Sequence, residues 1–503
     1  WAQVWIEYAL HPYQARRHSA FCCDQPQKML VSRLGIYFAM ALHAASIFVT
    51  QHPAESQTYY WPHARGSVGQ YSMTTNTAPA NLTASLSWSW HHPEGKYHTI
   101  VVSAPLIDDR KNIYIASEDG VRKFSPGGKA LWHYAPRGRI SSCPSLMRGS
   151  LFGNTLNGWV FALDMETGQE FWAEKKAESA PIDTGYVESH DGVVVTGVDS
   201  GPGGGATTVL GLDASNGRTL WEYKAPSVLW NIMAVFPGDD SFIVMDTHGG
   251  VFKHALHNAT LIWKSSPPAA AALSFSDGGV MVGPDGTSYT CSNYGGGNQG
   301  EKGALRAYRL RDGALQWERL LDRPCNSWPV ITPDGSSVMV PAGAFVASPA
   351  ASDASLRWNF GKSSQEMRDF SLSLGSAELK TYGMEEKTAA IQAFDTRTGE
   401  PQWSTELPPY GRLAARGDEE GYLIRRMLNH RDQCLPAQFS SPTISGDGTI
   451  YVGRADGLLY AVESGTGRYQ TFNTQAGFLH PGTSWAPGMM AVTSCDGLFV
   501  WKY

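Results

Sequence analysis

The feature that most constrains this chain is an internal repeat that ends in tryptophan. One copy, residues 162–172, reads ALDMETGQEFW, and another, residues 393–403, reads AFDTRTGEPQW. Repetition of a fixed frame is the signature of architectures built from similar units placed side by side. The frame A-x-D-x-x-T-G-x-x-x-W has its fixed positions at Asp164, Thr167, Gly168 and Trp172 in the first copy, and at Asp395, Thr398, Gly399 and Trp403 in the second.

Tryptophans recur along the chain at a spacing that indicates the size of one unit. The shortest step, from Trp132 to Trp172, is 40 residues, and the longest, from Trp263 to Trp317, is 54. Four strands of about five or six residues each, with their turns, need a similar length. The tryptophans that close complete or degraded copies are Trp132, Trp172, Trp221, Trp263, Trp317, Trp358 and Trp403.

Two further elements complete the unit. A Ser-x-Pro step stands ahead of a β-branched segment and an Asp-Gly or Asn-Gly pair, which is typical of a hairpin. In the element that ends in tryptophan, the Asp carboxylate accepts backbone N–H groups inside a turn, and Gly takes the positive φ that the reversal requires. The indole packs against the adjacent unit, where its N–H needs a polar partner. We therefore interpret these positions as structural. The Ser-x-Pro steps begin at Ser103, Ser142, Ser179, Ser327 and Ser440.

The two ends of the repeat region complement each other. Residues 86–90 look like a fourth strand without a unit before it, and residues 489–501 look like strands that lack a fourth. Pairing them closes a ring and removes both edge strands. Strict counting gives nine units, whereas closed propellers have about four to eight blades, so one weak unit is interpreted as an insertion. The sequence thus predicts an all-β propeller of eight four-stranded blades over residues 86–503, with seven and nine blades as alternatives.

The repeat frame resembles the docking motif of the propellers first known in pyrroloquinoline-quinone (PQQ) enzymes. That superfamily contains quinoprotein alcohol and glucose dehydrogenases, and also the bacterial lipoprotein that assists outer-membrane β-barrel assembly. For an enzyme, the resemblance implies a ring of adjacent cysteines over PQQ, a Trp beneath it, a Ca²⁺ ion held by acidic and amide side chains, and an Asp base. The only adjacent cysteines, Cys22 and Cys23, precede the repeats, and no residue inside them can be assigned to the Ca²⁺ or base roles.

We therefore predict a non-enzymatic scaffold that binds a protein or small ligand at its loop faces or channel mouth, without a cofactor. The alternative is a quinoprotein dehydrogenase that oxidises alcohols or sugars with PQQ and calcium, since one fold hosts unrelated activities. With 46 acidic and 40 basic residues and no basic run, the chain does not suit nucleic acid. Residues 408–437 are interpreted as an insertion between blades and as the expected contact surface.

Residues 29–56 have the layout of a secretory signal. Met29 is followed by Arg33 and an apolar run over residues 34–49, and small residues near Ala54 suit cleavage. An uncleaved signal anchor is the alternative, although a spanning helix needs ~20 residues. The expected divisions are an upstream extension over residues 1–28, the signal over 29–56, a linker over 57–85, and the propeller.

A secretory route predicts an extracellular or luminal location, or a periplasmic one in a bacterium. Asn81 and Asn258 start N-x-[ST] triplets and are candidate glycosylation sites. Five cysteines follow the signal without a C-x-x-C pair, which leaves their disulfide pairing open. They are Cys143, Cys291, Cys325, Cys434 and Cys495.

Two polar clusters are predicted to be solvated. His91 and His92 come at the end of the strand over residues 86–90, where a solvated turn is expected. The acidic run over residues 418–420 is expected to be a solvated loop rather than a Ca²⁺ site.

Overall fold

The computed structural model describes part of the chain, and everything below concerns that part. The upstream extension, the signal-like segment, Trp358 and Cys434 lie outside the described residues. The described ranges are 58–96, 98–140, 142–180, 186–200, 205–230, 234–267, 276–295, 302–344, 386–411, 414–418, 421–422, 425, 438–478 and 482–503.

The first four blades follow the chain in order, each as an antiparallel sheet whose first strand lines the central channel. They are preceded by a hairpin of β1 (Gly66–Ser67) and β2 (Gln70–Tyr71), and by β3 (Leu86–His91), which belongs to the last blade. An isolated bridge from Val235 to Ile243 extends blade IV on its inner side. The strands are β4 (Leu106–Ile107), β5 (Ile113–Ser117), β6 (Gly120–Phe124) and β7 (Ala130–Tyr134) in blade I; β8 (Ser145–Met147), β9 (Ser150–Asn154), β10 (Trp159–Asp164) and β11 (Glu170–Lys175) in blade II; β12 (Val187–His190), β13 (Val193–Ser200), β14 (Ala206–Asp213) and β15 (Thr219–Leu229) in blade III; and β16 (Ser241–Met245), β17 (Val251–Ala255) and β18 (Leu261–Ser265) in blade IV.

The last four blades complete the ring, which confirms the predicted all-β propeller of eight blades. In blade VI, β24 pairs directly with β25, so residues 344–386 connect two neighbouring strands of one sheet. The strands are β19 (Val280–Val282), β20 (Thr287–Tyr294), β21 (Lys302–Arg309) and β22 (Leu315–Leu320) in blade V; β23 (Val330–Ile331), β24 (Ser337–Gly343), β25 (Lys387–Asp395) and β26 (Pro401–Tyr410) in blade VI; β27 (Thr443–Ile444), β28 (Thr449–Gly453), β29 (Leu458–Glu463) and β30 (Tyr469–Asn473) in blade VII; and β31 (Ser484–Ala486), β32 (Met489–Ser494) and β33 (Gly497–Lys502) with β3 in blade VIII.

The ring closes as predicted, through the pairing of β3 with β33. Trp88 lies opposite Val500, and His91 lies opposite Gly497. The indole N–H of Trp501 also donates to the carbonyl oxygen of Leu82 at 2.7 Å. The pairing gives blade VIII its outer strand, so β33 is paired on both sides and β3 is not left without a partner strand.

The order of the strands gives the propeller two different faces. At one end lie the turns from the first to the second strand and from the third to the fourth, such as residues 108–112 and 165–169. We call this end the short-turn face. At the other end, which we call the long-loop face, lie the second-to-third connections and the crossings to the next blade. They include residues 266–279, 344–386 and 411–442.

The region predicted as a linker, residues 57–85, differs in the structure. Residues 58–76, here called the channel segment, include Trp61 and Tyr71, which are buried. Their apolar bodies gain more by packing between the blades than by remaining in water. The segment has backbone or side-chain hydrogen bonds to the inner side of five blades, at Ile107, Leu146, Ser189, Phe236 and Ile444.

The described part of the chain contains no helix with the length and apolar character that crossing a bilayer requires.

Candidate functional site

The predicted docking residues lie at the joints between blades. Trp132 of blade I donates its indole N–H to the carbonyl oxygen of Met165 in blade II at 3.2 Å. Its ring covers Gly168, which has a φ of +73°. The Asp164 carboxylate accepts the backbone N–H and the hydroxyl of Thr167, which holds the turn in the shape that receives the indole.

The same joint recurs around the ring. In every case an indole N–H donates to a backbone carbonyl in the turn between the third and fourth strands of the next blade. The pairs are Trp172 with Ala214 (2.9 Å), Trp221 with Leu256 (2.7 Å), Trp263 with Leu310 (2.8 Å), Trp317 with Thr396 (2.7 Å) and Trp88 with Pro126 (3.1 Å).

Trp403 departs from this pattern. It holds the same place in its strand, opposite Ala393, and it is half-buried. Among the described residues its indole N–H has no hydrogen bond, and the Thr405 hydroxyl reaches the next turn instead, at the carbonyl of Gly467 (3.3 Å). The frame in its own blade is intact, since Asp395 accepts the N–H of Thr398.

The centre of the propeller holds a buried charged cluster that the sequence analysis missed. Arg65, on the channel segment, places its guanidinium carbon 3.3 Å from the centroid of the Trp328 ring and 5.4 Å from that of Tyr186. The carboxyl groups of Glu188 and Asp277 interact electrostatically with this guanidinium. The side chains of all five residues, the arginine, the two aromatic residues and the two acids, are buried. The guanidinium thus binds the channel segment to the long-loop half of the channel by a desolvated cation–π contact.

Burial dominates the ionisation of this cluster. Desolvation lowers the pKa of Arg65 to about 10 and that of His63 to about 4. It raises the pKa values of the Glu188 and Asp277 carboxyls well above their usual range, against the opposing effect of Arg65. Neither carboxylate oxygen of Glu188 has a hydrogen-bond partner among the described residues, and the nearest imidazole nitrogen, Nε2 of His63, is 4.0 Å away.

One sequence signal could have found this cluster. The middle position of the Ser-x-Pro step is Ala104, Cys143, Ala180 or Ser441 in four copies, but Trp328 in the fifth. These positions are buried, and Ala104, Cys143 and Trp328 pack in one core cluster with Tyr59 and Tyr71 of the channel segment. Small residues leave room for the segment, while the single large residue provides the surface on which Arg65 stacks.

The resemblance to PQQ enzymes implies PQQ and Ca²⁺, and the described residues around Trp328 do not fit them. A planar cofactor stacks on an exposed indole face, but the face of Trp328 is covered by Arg65 and the residue is 1% exposed. The edge of the same indole abuts Gly279, where an added Cβ would lie 1.7 Å from Nε1. Glu188 and Asp277 do not belong to any group of three His, Cys, Asp or Glu ligands within the described part of the chain.

The insertion predicted as a contact surface is partly buried. Asp418 accepts two hydrogen bonds from the Arg425 guanidinium, and both side chains are buried, so the expected solvated loop is wrong for Asp418. The described part of the segment also contacts blade VII, where the backbone N–H of Arg416 donates to the carbonyl oxygen of Asp456 at 3.0 Å. The buried side chains of Asp418 and Arg425 hold the insertion in place and cannot contact a partner.

The other predicted residues have clear positions. The side chain of His92 is 8% exposed, unlike the solvated turn expected for it, whereas Asn81 and Asn258 are exposed, as glycosylation would require. Cys291 is bonded to Cys325, which joins blade V to the crossing toward blade VI. Cys143 is a free, buried thiol whose pKa is raised by burial, and Cys495 is also disulfide-bonded.

Fold and repeat together define the architecture: this chain is an eight-bladed β-propeller whose repeats resemble those of PQQ-type propellers. The family model described as Outer membrane protein assembly factor BamB matches residues 117–274 and 156–328. This finding confirms the resemblance that the repeat frame predicted.

Curated relatives match over short stretches. The outer membrane protein assembly factor BamB of Burkholderia pseudomallei (strain K96243) is 28% identical over 110 residues, 21% of this chain and 27% of that protein. Quinohemoprotein alcohol dehydrogenase ADH IIB of Pseudomonas putida is 32% identical over 109 residues, 19% of this chain and 16% of that protein. The chain therefore spans well under two thirds of either relative.

Solved structures match over most of the chain. BamB from Moraxella catarrhalis superposes with a TM-score of 0.53 at 16% identity, over 83% of this chain and 99% of that one. Quinohemoprotein alcohol dehydrogenase from Comamonas testosteroni gives a TM-score of 0.57 at 12% identity, over 89% of this chain and 81% of that one. At these identities the likeness concerns the fold alone.

Proposed function

We propose that this chain is a non-enzymatic propeller that acts as a protein-binding scaffold on the secretory route, or in the periplasm of a bacterium. Its contact surface is the long-loop face. The observation that carries the proposal is the stack of Arg65 on Trp328, because it covers the channel surface that a planar redox cofactor would need. A relative whose name describes an assembly factor is consistent with a role in binding proteins.

The buried cluster also argues against a solvent-borne substrate. Arg65, Glu188 and His63 are each no more than 2% exposed, so a substrate would first have to displace the channel segment. That segment is hydrogen-bonded to five blades, and its displacement would leave several backbone groups without partners. The long-loop face, by contrast, can vary in length and composition without disturbing these contacts.

Reconstitution with PQQ and Ca²⁺ tests the non-enzymatic role. The full chain is incubated with both, dialysed, and assayed for dye-linked oxidation of alcohols and aldoses, with an apo-quinoprotein alcohol dehydrogenase as the positive control. We expect neither stoichiometric retention of PQQ nor turnover. Stoichiometric PQQ with turnover would establish the dehydrogenase instead and overturn the proposal.

Matched charge reversals test the contact face. Arg137 and Arg139 are exposed on the long-loop face, and Arg397 and Arg468 are exposed on the short-turn face; all four are in surface ion pairs. We expect Arg137→Glu with Arg139→Glu to reduce retention of proteins captured from the native secretory fraction at least tenfold. Arg397→Glu with Arg468→Glu should leave it unchanged, and the reverse result would assign binding to the short-turn face.

A further inference from the structure

The connection from β3 to β4 brings two histidines and a glutamate together on the long-loop face. Ligand atoms of His92, Glu94 and His98 all lie within 4.8 Å of one another, the only such group of three within the described ranges. Nε2 of His98 is 3.0 Å from Oε2 of Glu94. The two imidazole rings stack with their centroids 4.4 Å apart and an interplanar angle of 11°.

The surroundings of this group suit a cation. A second carboxylate oxygen, Oδ2 of Asp119, lies 3.3 Å from Nε2 of His92. Arg122 pairs with Asp119, which leaves the Glu94 carboxylate as negative charge in excess.

We propose that His92, Glu94 and His98 bind one divalent transition-metal ion. Two imidazoles and one carboxylate form a ligand set that zinc uses, while calcium and magnesium prefer oxygen ligands alone. The open fourth position faces either solvent or Asp119. The site lies on the proposed contact face but uses none of the channel residues, and its Zn²⁺ test does not depend on the outcome of the scaffold test.

Binding requires a modest local rearrangement. Zinc ligands lie about 2.0–2.1 Å from the ion, so the three ligand atoms must draw closer together. Because the two rings are stacked and nearly parallel, the lone pairs of their nitrogen atoms do not point toward a common ion. The His98 side chain, which is 47% exposed, must therefore rotate so that both rings face the same ion. Gly95 between them has a φ of +123° and open space around it, which permits this movement.

A metal ion here would act at the joint where the ring closes. Residues 92–98 lead from β3 of blade VIII to β4 of blade I, and Asp119 lies in the hairpin between β5 and β6 of blade I. An ion bound by His92, Glu94 and His98 would cross-link residues within this connection, and a contact with Asp119 would also link it to the hairpin. Zinc should therefore raise the thermal midpoint of unfolding, because it binds the folded chain in preference to the unfolded one.

Equilibrium dialysis of the full chain against Zn²⁺ alone tests the site. We expect one Zn²⁺ per chain, with at least tenfold weaker binding in both His98→Ala and Glu94→Gln. His257→Ala is the matched control, since His257 is 54% exposed and faces a carboxylate of Asp191 at 3.3 Å in another part of the ring. The control variant should bind Zn²⁺ like the unaltered chain, and millimolar Ca²⁺ or Mg²⁺ should not displace the ion.

Three outcomes of the dialysis experiment would overturn the proposal. Absence of stoichiometric Zn²⁺, or a dissociation constant that His98→Ala leaves unchanged, excludes this site. An equal loss in His257→Ala shows adventitious binding to surface histidines and also excludes it. Thermal unfolding without metal verifies that each variant is folded, and a Zn²⁺-dependent rise in the midpoint that is lost in His98→Ala supports the site.

Discussion

The short-turn face and the long-loop face are made by the same repeat but obey different constraints. In most blades the turn between the third and fourth strands receives an indole from the preceding blade, as Gly168 receives Trp132. Its length and conformation are therefore fixed by a neighbour. At the other face, residues 344–386 connect two paired strands, and residues 411–442 connect two blades. Contact with the next blade thus preserves one face, and the lack of that contact lets the other acquire insertions.

Removal of a docked indole should give the largest effect. Trp172→Ala is expected to cost about 3–5 kcal/mol, because it removes a buried ring and the hydrogen bond to Ala214. Trp403→Ala should cost less, about 1–3 kcal/mol, since Trp403 is half-buried and lacks the indole bond. Urea unfolding measures the loss of stability in both variants. Equal losses would contradict the interpretation that the contact between the indole and the next blade causes the larger effect.

The turn beneath the indole should be the next most sensitive position. In Gly168→Ala the new Cβ would lie 2.7 Å from a ring carbon of Trp132, at a φ of +73°, and we expect a loss of about 2–3 kcal/mol. Gly465→Ala is the control, because Gly465 has a φ of +80° but no atom within 4 Å of the added Cβ. It should lose only about 1 kcal/mol, from the backbone alone. A similar loss at both positions would mean that the ring contact is unimportant.

The buried carboxyl of Glu188 predicts that its replacement by an amide stabilises the chain, and that this gain in stability depends on pH. Burial raises the pKa of Glu188, so the folded chain keeps a proton that the unfolded chain releases above its ordinary pKa of 4.5, and stability falls as pH rises. Glu188→Gln should therefore stabilise the chain at pH 7.5 by at least about 1 kcal/mol, and much less at pH 4.5.

His63 gives stability the opposite dependence on pH. Its pKa is lowered by burial, so stability falls as the pH drops from about 6.5 toward about 4, and this effect cancels because both proteins contain His63. Glu222→Gln, at a side chain that is 50% exposed, is the control and should change stability little at either pH. A larger gain for Glu188→Gln at pH 4.5 than at pH 7.5 would show that the carboxyl is ionised in the folded chain.

The smallest effect is expected for added length on the long-loop face. Four Gly and Ser residues inserted after Glu178, whose side chain is 92% exposed, should cost under about 1 kcal/mol. The same insertion after Glu166 lies in the turn that receives Trp132, and it should cost several times more. Thermal unfolding compares the two, and equal costs would remove the distinction between the faces.

The repeat predicted the fold well because it records contacts between units. The frame from Asp164 to Trp172 fixes a turn and the indole that docks on the next blade, so the type of blade and the ring closure could be inferred from the repeat. The number of eight also required the usual size of closed propellers, because strict counting gave nine units. Trp88 occupies the same kind of joint, yet it stands in a strand without a turn before it and was not predicted to dock. The repeat motif therefore identifies complete blades better than it identifies the single strand that closes the ring.

The channel could not be predicted in the same way. Arg65 lies outside every repeat. Its partners come from two distant places in the sequence, with Tyr186 and Glu188 at β12 of blade III and Asp277 in the crossing from blade IV to blade V, so no repeat spacing connects them. The aromatic residues at positions 59–61 and the single large residue at Trp328 were the available signals. The zinc-like ligand set of His92, Glu94 and His98 depends on a turn of the backbone that residue types alone do not determine.

The pairing of β3 with β33 has a consequence for the order in which the protein is made. Residues 86–91 leave the ribosome before blades I to VII, whereas their partner strand, residues 497–502, is synthesised only after those blades. Until then the nascent chain carries an incomplete circle with two open edges, and the docking surface for β3 does not exist. Translation must therefore reach the far end of the ring before its first strand is paired, and until then the open strand edges are free to pair with other chains.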